Sequence, residues 1–341
     1  MIELPTPRGL TVRVPESDEE DRSQKFAGSD PAAILSFYRE QGYVILPGLM
    51  PVAKCDEIRR LWEKEIKPSR AFMYRQATAK AERHSLNEKG WVMNPILNLQ
   101  SVDPLKFGEF RRFATEQILA DAALADVFET ILEDKPKVVQ SMYFEGNSAT
   151  WEHQDTYYLD SEKIGSMAGA WIALEDIDAR AGRFFICPGS HLIELERQNY
   201  ANNVADHHED YISEIVSIIR ERALGILAPN MSKGDVLFWN SRTIHGSLAS
   251  QHPEHSRSSI TLHAIPAGHR FLQLQNRIKN IRPKEFKGVL IHQPKDLSRP
   301  LARCVLRLES WFPTLFYATK GFAIKLSLGT RRLGSRPSAS R

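Results

Sequence analysis

KVVQSMYF (Lys137–Phe144) and WEHQDTYYL (Trp151–Leu159) open a part of the chain unlike what precedes it. From Lys137 onward the segments are short, alternating or continuously apolar, and punctuated by Gly, Pro and Asp. They include SMAGAWIALEDI (Ser166–Ile177), GRFFICPGSH (Gly182–His191), GDVLFWNSRTIHGS (Gly234–Ser247) and RSSITLHAIP (Arg257–Pro266). Short strands at this spacing, after a mostly helical beginning, predict a β-sandwich or barrel with helices packed outside it. The exception is Leu192–Leu224, which reads as loop followed by helix and is expected as an insertion between strands.

Upstream, AAILSFYREQGY (Ala32–Tyr43) carries apolar residues at helical spacing. YVILPGL is a strand ended by Pro47-Gly48, and MPVAKCDEIRRLWEKEI resumes the 3.6-residue period. Residues 71–100 have no convincing period and are expected as loop, and Phe107–Leu132 is again helical.

Within the β-rich part, His153 and Asp155 stand two apart. In a strand such residues share a face, so both are expected to project into whatever the sheet encloses. The spacing alone decides nothing, because His208-Glu209-Asp210 matches it equally. That second pair falls in a polar loop or at a helix start, where a solvated or capping role is the default. One histidine and one carboxylate make two ligands, and a two-histidine, one-carboxylate non-haem iron site needs a third while leaving positions open. His245 is the best candidate: it follows a strand, and Gly246 after it is expected to leave room near a metal. His191 in PGSH is its main competitor and is read as structural. His252 and His255 are expected in an exposed hairpin loop. In RSSITLH, Arg257, Ser259, Thr261 and His263 alternate onto one face, where a buried arginine suits bidentate pairing with a small molecule's carboxylate.

HQD at 153–155, AGRFFICPGSH (Ala181–His191), GDVLFWNSRTIHGS, Arg257 and the opening FYREQGYVILPGLMP (Phe37–Pro51) together resemble the phytanoyl-CoA dioxygenase family of iron(II)- and 2-oxoglutarate-dependent oxygenases. The resemblance runs from about Ile34 to Pro266. It implies a double-stranded β-helix, the cupin-like jelly roll, with iron at one mouth held by His153, Asp155 and His245. It implies that Arg257 pairs with the distal carboxylate of 2-oxoglutarate, and that Ser247 bonds the same carboxylate. Tyr143 and Trp171 match positions lining the cosubstrate pocket, with plain core packing as the other reading of Trp171. The implied reaction consumes O2 and 2-oxoglutarate, releases succinate and CO2, and hydroxylates an unactivated C–H bond of a small or medium organic substrate. Asp155 is present, which favours hydroxylation over halogenation. Tyr157, Tyr158, Trp91 and Arg183 are candidate substrate contacts, Arg183 equally a surface salt bridge. Two alternatives stay open: a catalytically silent jelly-roll binding protein, and a cupin-type metal enzyme that does not use 2-oxoglutarate.

Composition is ordinary for a soluble globular protein, with 42% hydrophobic and 26% charged residues in 341. The expected organisation is a polar N-terminal arm (1–30), one oxygenase domain (31–300) and a basic tail (301–341). The arm has an acidic run, Asp18 to Asp21, and no apolar stretch of signal-peptide length. Cys55, Cys187 and Cys304 lack Cys-x-x-Cys spacing, so neither a disulfide framework nor a zinc site is expected. A cytoplasmic protein with no nucleic-acid partner fits best. From Leu301 onward eight Lys or Arg face one acid, Glu309. Such a tail suits peripheral contact with an anionic membrane or an anionic partner, and equally a solvated tail packing a few aromatics.

Overall fold

Two β layers enclose the interior that the alternating segments predict. In this computed structural model, residues 1–28, 30–146, 149–193, 195, 207–273 and 277–319 are described. The larger sheet runs Lys284–Phe286, Val289–Ile291, Pro136–Phe144, Ser259–Pro266, Ala168–Ala173, Val236–Asn240, Tyr43–Leu46. Its neighbours are antiparallel except Val289–Ile291, which lies parallel to Pro136–Phe144. A smaller sheet, Phe184–Ile186, His245–Ser247, Thr150–His153, supplies the opposite wall. Phe184 and Ile186 of the small sheet pack with Trp171, Leu237 and Trp239 of the large one. The fold is therefore the expected jelly roll, mainly β with flanking helices.

The other face of the large sheet carries the helices. In Ala122–Leu132 the buried residues are Leu124, Val127, Phe128 and Ile131, spaced three, one and three apart as one helical face requires. The helix Pro31–Gln41 starts where Asp30 accepts hydrogen bonds from Ala32 N and Ala33 N. It ends at Gly42, whose φ of 76° suits glycine. Together with the helices Val52–Leu61 and Gly108–Phe113 they bury Ile34, Tyr38, Ile58 and Phe110 in one cluster with Val44, Phe238 and Ile260 of the sheet. The stretch expected as one helix from Phe107 breaks at Asp121, whose side chain caps the next helix through Leu124 N at 3.0 Å. Within 71–100, read as loop, lie the short strands Met73–Tyr74, Ala81–Glu82 and Ile96–Leu97.

The first residues differ from the expected polar arm. Ile2–Pro5 and Thr11–Val14 form a hairpin. Val12 and Val14 are buried with Ala179, Phe185, Ala228 and Leu248, each burial contributing roughly 1.5–3 kcal/mol. At its turn, Thr6 Oγ1 donates to the buried Glu152, next in sequence to His153. Arg183 secures the segment after the hairpin and is no substrate contact. Its guanidinium is buried and donates to the carbonyls of Ile177 and Pro15 and to Asn230 Oδ1. Arg183→Met leaves those buried acceptors unpaired, at a cost of about 2–4 kcal/mol. A lower melting temperature and faster proteolysis near Pro15 are expected, with an unchanged KM for any anionic substrate.

No described helix is long and apolar enough to cross a membrane. Residues 320–341 of the basic tail, with residue 194 and residues 196–206 of the expected insertion, lie outside the described residues.

Candidate metal and carboxylate site

Three side chains meet at one end of the interior. His153 ends the strand Thr150–His153, and its register partner across the small sheet is His245. Asp155 is not in that strand, as the spacing suggested, but opens a 3-10 turn over Asp155–Tyr157. The turn returns the carboxylate to the histidine face: Asp155 Oδ1 lies 3.7 Å from His153 Nε2 and 3.7 Å from His245 Nε2. One ligand atom from each residue falls within 4.8 Å of the others, and all three residues are buried.

The same device orients both histidines. His153 Nδ1 lies 2.8 Å from the carbonyl of Trp151, and His245 Nδ1 lies 2.9 Å from that of Thr243. A carbonyl only accepts, so each Nδ1 carries a proton, and the bond it donates turns Nε2 of each ring to the centre. Burial pushes His245 down to about 3, so at neutral pH its ring is uncharged and ready to ligate. Burial alone would raise the Asp155 carboxyl, but the surrounding imidazoles of His263, His245 and His153 hold it well below the usual carboxylate range. The turn between the ligands is itself pinned. Tyr211, on the helix His208–Glu221, donates its hydroxyl to Gln154 O at 3.1 Å and accepts from Gln154 N at 2.7 Å. The described helix of the insertion thus buttresses the ligand turn.

Asp155 Oδ2, the oxygen turned from His153 and His245, has its own partners. Trp239 Nε1 donates to it at 2.8 Å, and His263 Nε2 stands 3.2 Å away. These two residues sit on different strands of the large sheet, and both have Gly169 between them as register partner. A Cβ at position 169 would lie 2.3 Å from the Trp239 indole. Glycine is required there so that the indole can lie across the strand and reach the carboxylate. Sequence reading missed Trp239 and Gly169, because only the register of three strands brings them together. Gly169→Ala must displace the rigid indole, and Trp239→Phe removes its donor. Loss of such a supporting bond typically costs 10–100-fold in metal affinity, and titration of either variant with Fe(II) is expected to show a loss of about that size.

Further along the interior face lies Arg257, 2% exposed. Its Nε has no hydrogen-bond partner and, among the described residues, the guanidinium makes no ion pair. Burial pushes it down to about 9, with no nearby charge compensating. Its Cζ lies 5.3 Å from the Phe144 ring and 5.9 Å from that of Trp171. Trp171 faces the interior with a buried Nε1 that also lacks a partner. From Trp171 the wall continues through Phe184, 6.0 Å away, to His245, 5.4 Å beyond. Buried unpaired cations and donors are costly, so this cradle fits a carboxylate-bearing ligand. The triad, with two imidazoles and one carboxylate, fits a divalent metal that keeps open positions. Ser247 is buried on the strand that carries His245.

Other expected residues lie elsewhere. Tyr143 does not line the interior: paired with Ile260, it points to the helices and stacks on Trp62 at 4.0 Å. Trp91 shares that side, in a cleft of about 250 Å³ with Trp62, Tyr143 and Glu145. Its indole donates to Glu254 O at 3.2 Å. Tyr157 is buried and stacked 3.9 Å from Tyr211, so its ring is core and not a substrate contact. Tyr158 does reach the site, its ring 5.7 Å from that of His153. Its hydroxyl meets His208 Nε2 at 2.8 Å and Trp151 Nε1 at 3.1 Å. His191 is no ligand; its Nε2 meets Arg39 O at 3.0 Å, at the end of the first long helix. The absence of a side chain at Gly246 makes room for the Phe185 ring and the Thr150 carbonyl, not for a metal.

A jelly roll with two histidines and a carboxylate at one end of its interior defines a class of metal-dependent oxygenase. A profile of the phytanoyl-CoA dioxygenase family matches residues 38–258, and the chain belongs to that family. It is an iron(II)- and 2-oxoglutarate-dependent dioxygenase, and His153, Asp155 and His245 form a site able to hold its iron. Among curated relatives, peroxisomal phytanoyl-CoA dioxygenase of Bos taurus is 24% identical over 269 residues, covering 74% of each chain. The Homo sapiens protein of the same name is 24% identical over 268 residues, covering 74% of this chain and 73% of its own. Among solved structures, EctD from S. alaskensis with 2-oxoglutarate and 5-hydroxyectoine matches with a TM-score of 0.55 at 16% identity. That match covers 85% of this chain and 98% of EctD. The carbocyclase SnoK from nogalamycin biosynthesis matches at 0.52 and 19% identity, covering 74% and 90%. At these identities the two structures show the shared fold.

Proposed function

We propose that the chain hydroxylates an unactivated C–H bond of a small or medium organic substrate, with conversion of 2-oxoglutarate to succinate and CO2. The observation that carries this reading is the buried Arg257, which has no anionic partner among the described residues and faces the same interior as the triad from the large-sheet wall. In it His153, Asp155 and His245 ligate the iron, and Arg257 grips the distal carboxylate of 2-oxoglutarate with its planar fork. Trp171 and Phe184 close the space between them and exclude water. Bound iron supplies the activation of dioxygen coupled to decarboxylation of the keto acid. The protein's part is to hold that acid in register, hold both imidazoles with Nε2 inward, and keep Asp155 ionised.

Trp151, Tyr158 and His208 form a hydrogen-bonded aromatic cluster against His153, with the Trp151 and His208 rings 4.8 Å apart. Such a cluster contributes broad apolar surface with polar tips, suited to an organic substrate of mixed character. The test is turnover of a substrate library with Fe(II), 2-oxoglutarate and O2, followed by mass spectrometry. Succinate in step with a product heavier by one oxygen atom is expected. A product that has lost two hydrogens, or no succinate with any substrate, would overturn the reading.

A further inference from the structure

The helix Pro300–Trp311 is packed in an unusual sense. Its sole acid, Glu309, is 4% exposed. Its carboxylate accepts from Ala81 N at 2.9 Å, from Tyr74 Oη at 3.3 Å and from the Tyr317 hydroxyl. The large apolar residues point the other way. Leu301 is 76% exposed, Leu308 54%, Trp311 70% and, just beyond the helix, Phe312 56% and Leu315 65%. Spacings of four and three put Leu301, Val305 and Leu308 on one face. Scattered exposed apolar residues need no explanation, but a contiguous row ending in a tryptophan and a phenylalanine marks an interaction surface.

Charge selects the occupant. Arg299 and Arg307 are exposed on this segment and its one acid is turned inward, so among the segment's own described residues the exposed charges beside the apolar row are cationic. The sequence beyond residue 319 adds Lys320, Lys325, Arg331, Arg332, Arg336 and Arg341 without an acid. A second copy of so cationic a surface would be repelled. An interface of acyl chains beneath anionic headgroups satisfies both the row and the charge. We propose that this helix docks the enzyme peripherally on an anionic lipid surface, with Leu308, Trp311 and Phe312 entering the headgroup region.

The test is sedimentation of the full chain with phosphatidylcholine vesicles, with and without 30% phosphatidylglycerol. The protein is expected to pellet with the anionic vesicles and stay in the supernatant with the neutral ones. Leu308→Glu/Phe312→Glu and Arg299→Glu/Arg307→Glu are each expected to reduce the bound fraction at least tenfold. Melting temperature and 2-oxoglutarate decarboxylation should be unchanged, since these side chains are exposed and outside the site. Three outcomes would overturn the proposal: no binding to anionic vesicles, binding that Leu308→Glu/Phe312→Glu leaves intact, or a dimer that this variant turns into a monomer, which would make the row a self-association face.

Discussion

Arg257→Met is expected to make the apoenzyme more heat-stable while abolishing its grip on 2-oxoglutarate. The buried guanidinium bears a charge that no described residue neutralises. Replacing an uncompensated buried ion by an apolar side chain of similar length removes a desolvation penalty and keeps the packing against Phe144 and Trp171. The melting temperature of the metal-free, ligand-free variant should rise by a few degrees. Binding moves the opposite way. Two charge-assisted hydrogen bonds to a carboxylate contribute about 1.5–3 kcal/mol each, and each 1.4 kcal/mol is about a factor of ten. The KM for 2-oxoglutarate should therefore rise by at least about 100-fold, while Arg257→Lys, which keeps the charge and loses the fork, should lose about tenfold. Calorimetry links the two effects: 2-oxoglutarate should raise the melting temperature of the wild type and leave that of Arg257→Met unmoved. An unchanged KM would remove Arg257 from the site.

The contrast between Arg257 and Arg183 shows where sequence reading stops. Both are buried arginines beside strands, and nothing in their local sequence tells an arginine that donates to two backbone carbonyls and the Asn230 amide oxygen from one with an unpartnered Nε. The acceptors of Arg183 come from three separate parts of the chain, Ile177, Asn230 and Pro15, the last following a hairpin whose alternation in Ile2–Pro5 and Thr11–Val14 is too short to stand out from a polar arm. A β-sandwich or barrel was legible because period-two alternation is a local property; the family resemblance carried the jelly roll and the ligand set, and Asp155 reaches the site through a 3-10 turn and not by strand alternation. Tyr143 was misplaced for the converse reason. Its strand is buried on both faces, so hydrophobicity does not say which side looks inward, and the pairing with Ile260 settles that. The Trp239–Gly169–His263 row is a property of register across three strands and has no signature in any one of them.

That row predicts how the acidic ligand will respond to substitution. Asp155 has two oxygens with two tasks: Oδ1 faces both imidazoles, and Oδ2 accepts from Trp239 and lies beside His263. An ionised carboxylate performs both, since each oxygen is an acceptor. The amide of Asn has one acceptor only. If Asp155→Asn turns its oxygen to the metal, its NH2 meets the Trp239 N–H donor to donor. If the oxygen stays with Trp239, the NH2 faces the metal and cannot ligate. Asp155→Asn is therefore expected to lose Fe(II) affinity by more than the 10–100-fold typical of a lost supporting bond, close to the loss in Asp155→Ala, although its shape is conserved. Succinate release should fall with it. Circular dichroism and binding of 2-oxoglutarate through Arg257 should report an intact fold in both variants. Trp239→Phe should separate the two tasks, weakening iron binding by the smaller factor while Oδ1 remains available. An Asp155→Asn enzyme that kept its iron within a few-fold would mean that Asp155 holds the sheet together and does not bind the metal.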